Sequence, residues 1–206
     1  MLIVGMSGSG KTTFARSLLL MVNKRRPIII LDSKPDDSLL LPGSHVITNA
    51  SDALKWKPDQ RPALVYRPDG LDMSQPERLD AFLQWAYDTG DCLVYIDELN
   101  ALDQGYRPRP GLINLLSRGR SRDRNGRTVH TPLWMSTQRP ARIPKQAISE
   151  ANRIVAFYLG RKEDRKALAD DGDATFLENP SHDYGFRLYD RGQRRTMHFK
   201  PLRGVG

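Results

Sequence analysis

The eight residues Gly5-Met6-Ser7-Gly8-Ser9-Gly10-Lys11-Thr12 constrain this chain more than any other stretch of it. They fit G-x-x-x-x-G-K-[ST] at every fixed position. The apolar triplet Leu2–Val4 precedes them, and the amphipathic stretch Thr12–Val22 follows, with Phe14, Leu18, Leu19 and Val22 on one side. A glycine-rich turn between a buried strand and a helix aims backbone N–H groups and the helix N-terminus at a phosphate chain. In that setting the loop from Gly5 through Ser7, Gly8, Ser9 and Gly10 wraps the phosphates. Lys11 reaches the β- and γ-phosphates, Thr12 coordinates Mg²⁺, and Thr13 supports the α-phosphate side. A chance glycine turn would lack both flanking elements.

The rest of the chain agrees with that strand–loop–helix opening. Short apolar runs recur at Leu2–Val4, Ile28–Leu31, Ala63–Tyr66, Leu93–Ile96, Leu133–Ser136 and Ile154–Leu159. Most lack polar alternation, which is how strands buried on both faces of a parallel sheet read. Helical spacing is present at Gln75–Asp88 (Leu79, Phe82, Leu83, Ala86), at Pro110–Arg120 and at the charged segment Arg161–Asp170. Alternating strands and helices predict an α/β layered sheet. Phe186, Leu188, Met197 and Phe199 instead alternate with polar residues around Asp190-Arg191-Gly192-Gln193, predicting an antiparallel hairpin. With no repeat and no linker, residues 1–206 read as one domain, with a core over about 1–170 and a hairpin extension over about 175–206.

Two further strand ends carry chemistry. Cys92-Leu93-Val94-Tyr95-Ile96-Asp97-Glu98 is an apolar run closed by adjacent acids. Beside a phosphate loop, Asp97 takes the role of the Mg²⁺-holding acid of a Walker B strand, and Glu98 is placed to polarise a water for attack on the γ-phosphate. Such a glutamate argues for hydrolysis over transfer to an acceptor. The N-K-x-D base-reading signature is absent, since Asn23-Lys24-Arg25 lacks the Asp, so ATP is the expected nucleotide. Leu133-Trp134-Met135-Ser136-Thr137-Gln138-Arg139-Pro140 is the third such strand, and Gln138 can orient the attacking water or sense the γ-phosphate.

Composition enters where it excludes. One cysteine rules out a disulfide framework and a multi-Cys metal site and fits a reducing compartment. No apolar run approaches the roughly 18–20 residues that span a bilayer, and no basic n-region follows Met1, so neither anchor nor leader is expected. His45, His130, His182 and His198 lack ligand spacing, leaving nucleotide-bound Mg²⁺ as the expected metal. Trp56, Trp85 and Trp134 read as packing residues. Asp32, Asp36 and Asp37 either border the site or cap a loop. The formal charge of +8 lies entirely between Arg107 and Arg142, where Arg107, Arg109, Arg118, Arg120, Arg122, Arg124, Arg127, Arg139 and Arg142 face a single acid, Asp123. An all-arginine excess favours bidentate phosphate contacts, with a solvated face as the bland alternative.

The phosphate loop, the Asp97-Glu98 strand, and Ser136-Thr137-Gln138-Arg139-Pro140 followed by Ile143-Pro144 together resemble the FtsK–HerA superfamily of DNA-pumping ATPases. Leu115–Arg122 and Ala151–Phe157 are similar to that family too, so the resemblance runs over residues 2–169. It implies a RecA-like ASCE P-loop NTPase fold, a mostly parallel central sheet flanked by helices. It also implies a homo-oligomeric ring, a hexamer, with nucleotide at the subunit interfaces. An arginine of one subunit completes its neighbour's site; Arg120 is the first assignment, with Arg118 and Arg153 as alternatives, since Ser121–Thr131 is longer than the usual connection. With little beyond the core, the chain is similar to the genome-packaging ATPases of tailless, membrane-containing icosahedral viruses. That likeness implies double-stranded DNA as partner, capsid-vertex or membrane proteins as further partners, and the host cytoplasm or the virion's packaging vertex as location. A cellular HerA/FtsK-like translocase, a P-loop small-molecule kinase and an ATP-gated DNA-binding scaffold stand as alternatives.

Overall fold

The computed structural model describes residues 1–59, 62–102, 109–181 and 183–201. Its strands in chain order are β1 (Leu2–Val4), β2 (Ile28–Asp32), β3 (Ser44–Ile47), β4 (Ala63–Tyr66), β5 (Leu93–Asp97), β6 (Arg122–Arg124), β7 (Arg127–Val129), β8 (Leu133–Thr137), β9 (Arg153–Ala156), β10 (Phe186–Asp190) and β11 (Arg195–Phe199). The α-helices are α1 (Lys11–Asn23), α2 (Gly70–Ser74), α3 (Pro76–Thr89), α4 (Pro110–Arg118), α5 (Lys145–Ser149) and α6 (Lys162–Asp171). The chain divides into two compact units, Met1–Lys11 with Met135–Gly206, and Thr12–Trp134.

In the first unit the strand order is β11-β10-β9-β1-β8. β1 is three apolar residues, all buried, and pairs in parallel on both sides, Val4 lying opposite Thr137 of β8 and Ala156 of β9. β10 runs antiparallel to β9, and β11 folds back on it. The Asp190 carboxylate shapes that turn by accepting the amides of Gly192 (3.0 Å) and Gln193 (3.2 Å), an Asx device that competes well with continued strand. Phe186 packs between Phe157 (ring centroids 5.2 Å) and Phe199 (4.9 Å, stacked).

The second unit has the order β5-β2-β4-β3, all parallel. β2, Ile-Ile-Ile-Leu-Asp, is buried throughout, as a strand covered on both faces must be. α3 starts with Pro76 in its first turn and buries Leu79, Phe82, Leu83, Ala86 and Tyr87. An aromatic cluster forms there: Tyr66–Phe82 at 4.4 Å, Phe82–Trp85 at 5.5 Å and Trp56–Trp85 at 6.1 Å. Each fully buried side chain of this size contributes about 1.5–3 kcal/mol. The buried Asp72 carboxylate ties α2 to this cluster by accepting from Tyr66 Oη (2.5 Å), Arg78 Nη1 (2.9 Å) and the Ala50 amide (3.1 Å). Burial pushes the Cys92 thiol up to about 12, so it is a core residue and unreactive at neutral pH.

Three elements differ from the sequence expectation. β3 (Ser-His-Val-Ile) is a half-buried strand too short and polar to read as a run. The strand expected over 154–159 ends at Ala156, and Phe157–Leu159 leave it to run beside the phosphate loop. Arg122–Val129, expected to lie in an open connection, forms the hairpin β6–β7, turning on Asn125 (φ 54°) and Gly126 (φ 77°). Both turn residues have positive φ, the geometry that an Asn-Gly pair supplies.

Candidate nucleotide site

The first unit carries the phosphate loop. It leaves β1 with Gly5 N–H donating to the Thr137 carbonyl (3.3 Å) and Met6 N–H to the Tyr158 carbonyl (2.9 Å), so both neighbouring strand ends hold its base. A Cβ on Gly5 would lie 2.5 Å from Ser9 Oγ and 2.7 Å from Phe157 Cβ, which only glycine avoids. Gly8 (φ 75°) and Gly10 (φ 97°) adopt left-handed backbone, and nothing stands within 4 Å of a Cβ at Gly8. The loop therefore presents an open concave face of backbone there. Lys11 is buried and donates from Nζ to the Met6 carbonyl (2.8 Å) across the loop. Ser9 Oγ is buried without a hydrogen-bond partner. The loop opens α1, whose first turn holds no acidic residue, so its N–H groups and positive dipole end are left for an anion. An orphaned hydroxyl, a buried ammonium and an open glycine face fit a phosphate chain.

Gln138 follows β8 in the same unit, and the Val4–Thr137 register brings it beside the start of the loop at Gly5. The turn after it is fixed from below. Thr137 Oγ1 accepts the Arg139 amide (3.1 Å), and the buried Asp164 of α6 accepts both Arg139 Nε (3.0 Å) and the Ala141 amide (3.1 Å). Arg139 is thus a structural member of the Thr-Gln-Arg-Pro segment. Arg153 lies at the opposite end of its strand from the loop and pairs with Asp190 of β10 (3.0 Å).

The second unit carries the acids. Asp97 ends β5, accepting Tyr95 Oη on its carboxylate (3.0 Å) and Ser33 Oγ on its carbonyl (2.8 Å). Glu98 is buried and left-handed (φ 58°, ψ 68°), a conformation costing a non-glycine residue roughly 1–2 kcal/mol and characteristic of functional positions. Lys34 Nζ stands 3.6 Å from Glu98 Oε2. Across the β2–β5 register Asp32 lies opposite Asp97. Asp32 is fully buried and bound by Arg67 Nε (2.9 Å) and the Asp36 amide (3.1 Å). Burial pushes its carboxyl above the usual range, against those two bonds and with the Asp97 charge adding to the rise. Asp36 caps the turn Asp37–Leu39, and Asp37 pairs with Arg67.

Thr12 opens α1 within this unit, and its hydroxyl with the Asp97 carboxylate is the donor set that Mg²⁺ takes alongside substrate phosphates. No cluster of three or more His, Cys, Asp or Glu suited to a metal occurs among the described residues. Arg118 and Arg120 are exposed at the end of α4, on a turn pinned by the Thr131 amide on the Gly119 carbonyl (2.6 Å) and by His130 Nδ1 against the Arg120 carbonyl (2.6 Å). Arg122, by contrast, points into the protein: its guanidinium donates to the Tyr87 carbonyl and to Thr131 Oγ1 (3.1 Å) and lies 3.7 Å over the Tyr87 ring. Arg107 and His182 lie outside the described residues. Lys34, Arg67 and Asp164 are not singled out by the sequence; the polar run Asp-Ser-Lys after β2 is the one local signal, and it points to the first.

The genome packaging NTPase B204 of Sulfolobus turreted icosahedral virus 2, in complex with ATP-γS, superposes with a TM-score of 0.74 at 20% identity, covering 98% of this chain and 96% of that one. EssC (ATPases 2 and 3) from Geobacillus thermodenitrificans superposes with a TM-score of 0.65 at 12% identity, covering all of this chain and 40% of that one. The fold is that of the P-loop ATPases, a mostly parallel sheet flanked by helices. In sequence it is similar to the DNA packaging ATPase P9 of Enterobacteria phage PRD1, with 29% identity over 178 residues, 81% of this chain and 67% of that protein. No family model matches the chain.

Proposed function

We propose that this chain is an ATP-hydrolysing motor that moves double-stranded DNA and packages a viral genome into a preformed capsid. The observation that carries this is its similarity to the PRD1 packaging ATPase across most of the chain, joined to a phosphate loop of intact geometry. Residues 1–206 act as one ATPase domain. The amides from Gly5 to Gly10, Ser7 and Ser9 among them, hold the phosphates, Lys11 donates to the β- and γ-phosphates, and Thr13 supports the α-phosphate. Thr12 and Asp97 hold Mg²⁺. When bound, that ion neutralises charge on the β- and γ-oxygens. Glu98 accepts a proton from the attacking water while Gln138 orients it. A neighbouring copy in a ring, a hexamer, supplies Arg120 against the charge of the transition state, with Arg118 and Arg153 as alternatives.

Duplex DNA is held through phosphates by exposed arginines, a sequence-independent grip that suits a motor moving any genome. No helix among the described residues is long and apolar enough to cross a membrane. The working location is the packaging vertex of a particle assembling in the host cytoplasm, where capsid or membrane proteins receive the ring. Phosphate release measured with and without duplex DNA, together with native mass spectrometry of the assembly, tests the reading. DNA-stimulated turnover by a ring is expected. Turnover indifferent to DNA, with transfer to a nucleoside acceptor, would replace the motor by a kinase.

A further inference from the structure

Tyr184 is a large aromatic residue that the fold places against the phosphate loop and leaves 62% exposed. It sits in the turn just ahead of β10, with left-handed backbone (φ 57°). The β9–β10 pairing sets Arg187 opposite Ala156 and packs Phe186 on Phe157, the side chain that closes on Gly5. Two residues earlier, the chain delivers Tyr184 to the other end of the loop. A Cβ built on Gly10 would meet Tyr184 Cδ1 at 3.6 Å and Phe157 Cε1 at 3.7 Å. The residue immediately before Lys11 is therefore flanked by two aromatic edges, one in the core and one facing out.

Core packing does not explain Tyr184, because most of the ring is in water and the backbone is in an unfavourable region. Nor does a hydrogen bond, since its hydroxyl has no partner among the described residues. Met6 of the loop and Tyr158, whose carbonyl accepts the Met6 N–H, are also about half exposed, so large exposed side chains border the loop. A phosphate chain alone has no use for such a border. A nucleotide does: its triphosphate lies along the loop amides, and its base extends beyond the α-phosphate with two π-faces to cover.

We propose that Tyr184 stacks on the base of the bound nucleotide and is the residue by which this chain holds the nucleobase, as distinct from the phosphates. The proposal rests on the nucleotide reading of the loop. It is tested on the full chain by equilibrium binding of Mg²⁺–ATPγS and of Mg²⁺–tripolyphosphate, which has no base. Tyr184→Ala is expected to weaken ATPγS by about 5- to 100-fold, the range of base–aromatic stacking, and to leave tripolyphosphate unchanged. Tyr184→Phe is expected to bind both as the wild type does. Unchanged ATPγS affinity in Tyr184→Ala, or an equal loss for both ligands, would overturn the proposal. Wild-type protein binding neither ligand, with Lys11→Ala indistinguishable from it, would overturn the nucleotide reading and this proposal with it.

Discussion

The phosphate loop and the β6–β7 hairpin are both polar stretches that invite a functional reading, and the structure treats them in opposite ways. In the loop two binding groups stay open to a ligand: Ser9 Oγ has no partner and Gly8 faces open space, while Lys11 donates to the Met6 carbonyl of the same loop. In the hairpin the donors are engaged. Arg122 holds the Tyr87 carbonyl and ring, Arg124 donates to the Asp88 carbonyl, and Arg127 pairs with Asp91. All of these acceptors lie at or just after the end of α3, so the arginines dock the hairpin onto the helix. A loop whose chemistry is in its backbone announces its ligand through glycine spacing. An arginine announces only that it needs an acceptor, and here the protein supplies one.

The largest expected effect concerns the arginines that the structure leaves on the surface. If Arg120 completes a neighbouring copy's site, Arg120→Ala should lower turnover by about 10³- to 10⁵-fold with nucleotide affinity retained. Mixing Arg120→Ala with Lys11→Ala subunits should restore part of the rate, because some interfaces then carry an intact loop and an intact arginine. A loss below tenfold, or no recovery on mixing, moves the role to Arg118 or Arg153.

Next comes the acid strand. Glu98→Gln should bind ATP normally and lose at least about 10²-fold in turnover, the scale of one positioned proton acceptor. Lys34→Met should have a much smaller effect, at most about fivefold, because its ion pair with Glu98 is largely solvent-facing on the lysine side. Equal losses in the two variants would make Lys34 a participant in the chemistry instead of a neighbour.

The loop's backbone is legible in the sequence, and which arginines are exposed and which are engaged by the protein is not, for a physical reason. Gly5, Gly8 and Gly10 have one conformational explanation each, and the buried runs of β1, β2 and β5 one environment, so pattern suffices. Arg122 and Arg120 are two residues apart and identical, yet one is drawn over Tyr87 and the other is exposed. Only the tertiary course of α3 decides that. The Asn125-Gly126 pair does signal a hairpin, but its flanks are arginines and not the alternating apolar residues that normally accompany the signal. Lys34, Asp164 and Tyr184 acquire their meaning from partners 64, 25 and 174 positions away, which no local window contains.

Removing Arg122 should therefore read out as stability. Arg122→Ala leaves the Tyr87 carbonyl without its donor and removes the cation from the ring, which together cost about 1–3 kcal/mol in urea unfolding. The salt dependence of DNA affinity should stay as in the wild type. Substituting the exposed Arg118 should do the reverse, flattening the slope of log affinity against log salt by about 0.9. A flattened slope in Arg122→Ala would show that the guanidinium leaves Tyr87 to reach DNA.

The smallest effect is the most discriminating. Arg127 Nη2 lies 2.7 Å from Asp91, but the side chains are 77% and 43% exposed, so the pair is screened and worth no more than about 1 kcal/mol. Arg127→Gln should then barely move the unfolding midpoint. What it does to the salt slope decides which region the outer hairpin belongs to. An unchanged slope keeps Arg127 with Arg122, as part of the clasp on α3. A slope flattened by about 0.9, with stability unaffected, would mean that DNA phosphate competes successfully with Asp91. The hairpin would then hold the protein at its base and DNA at its tip.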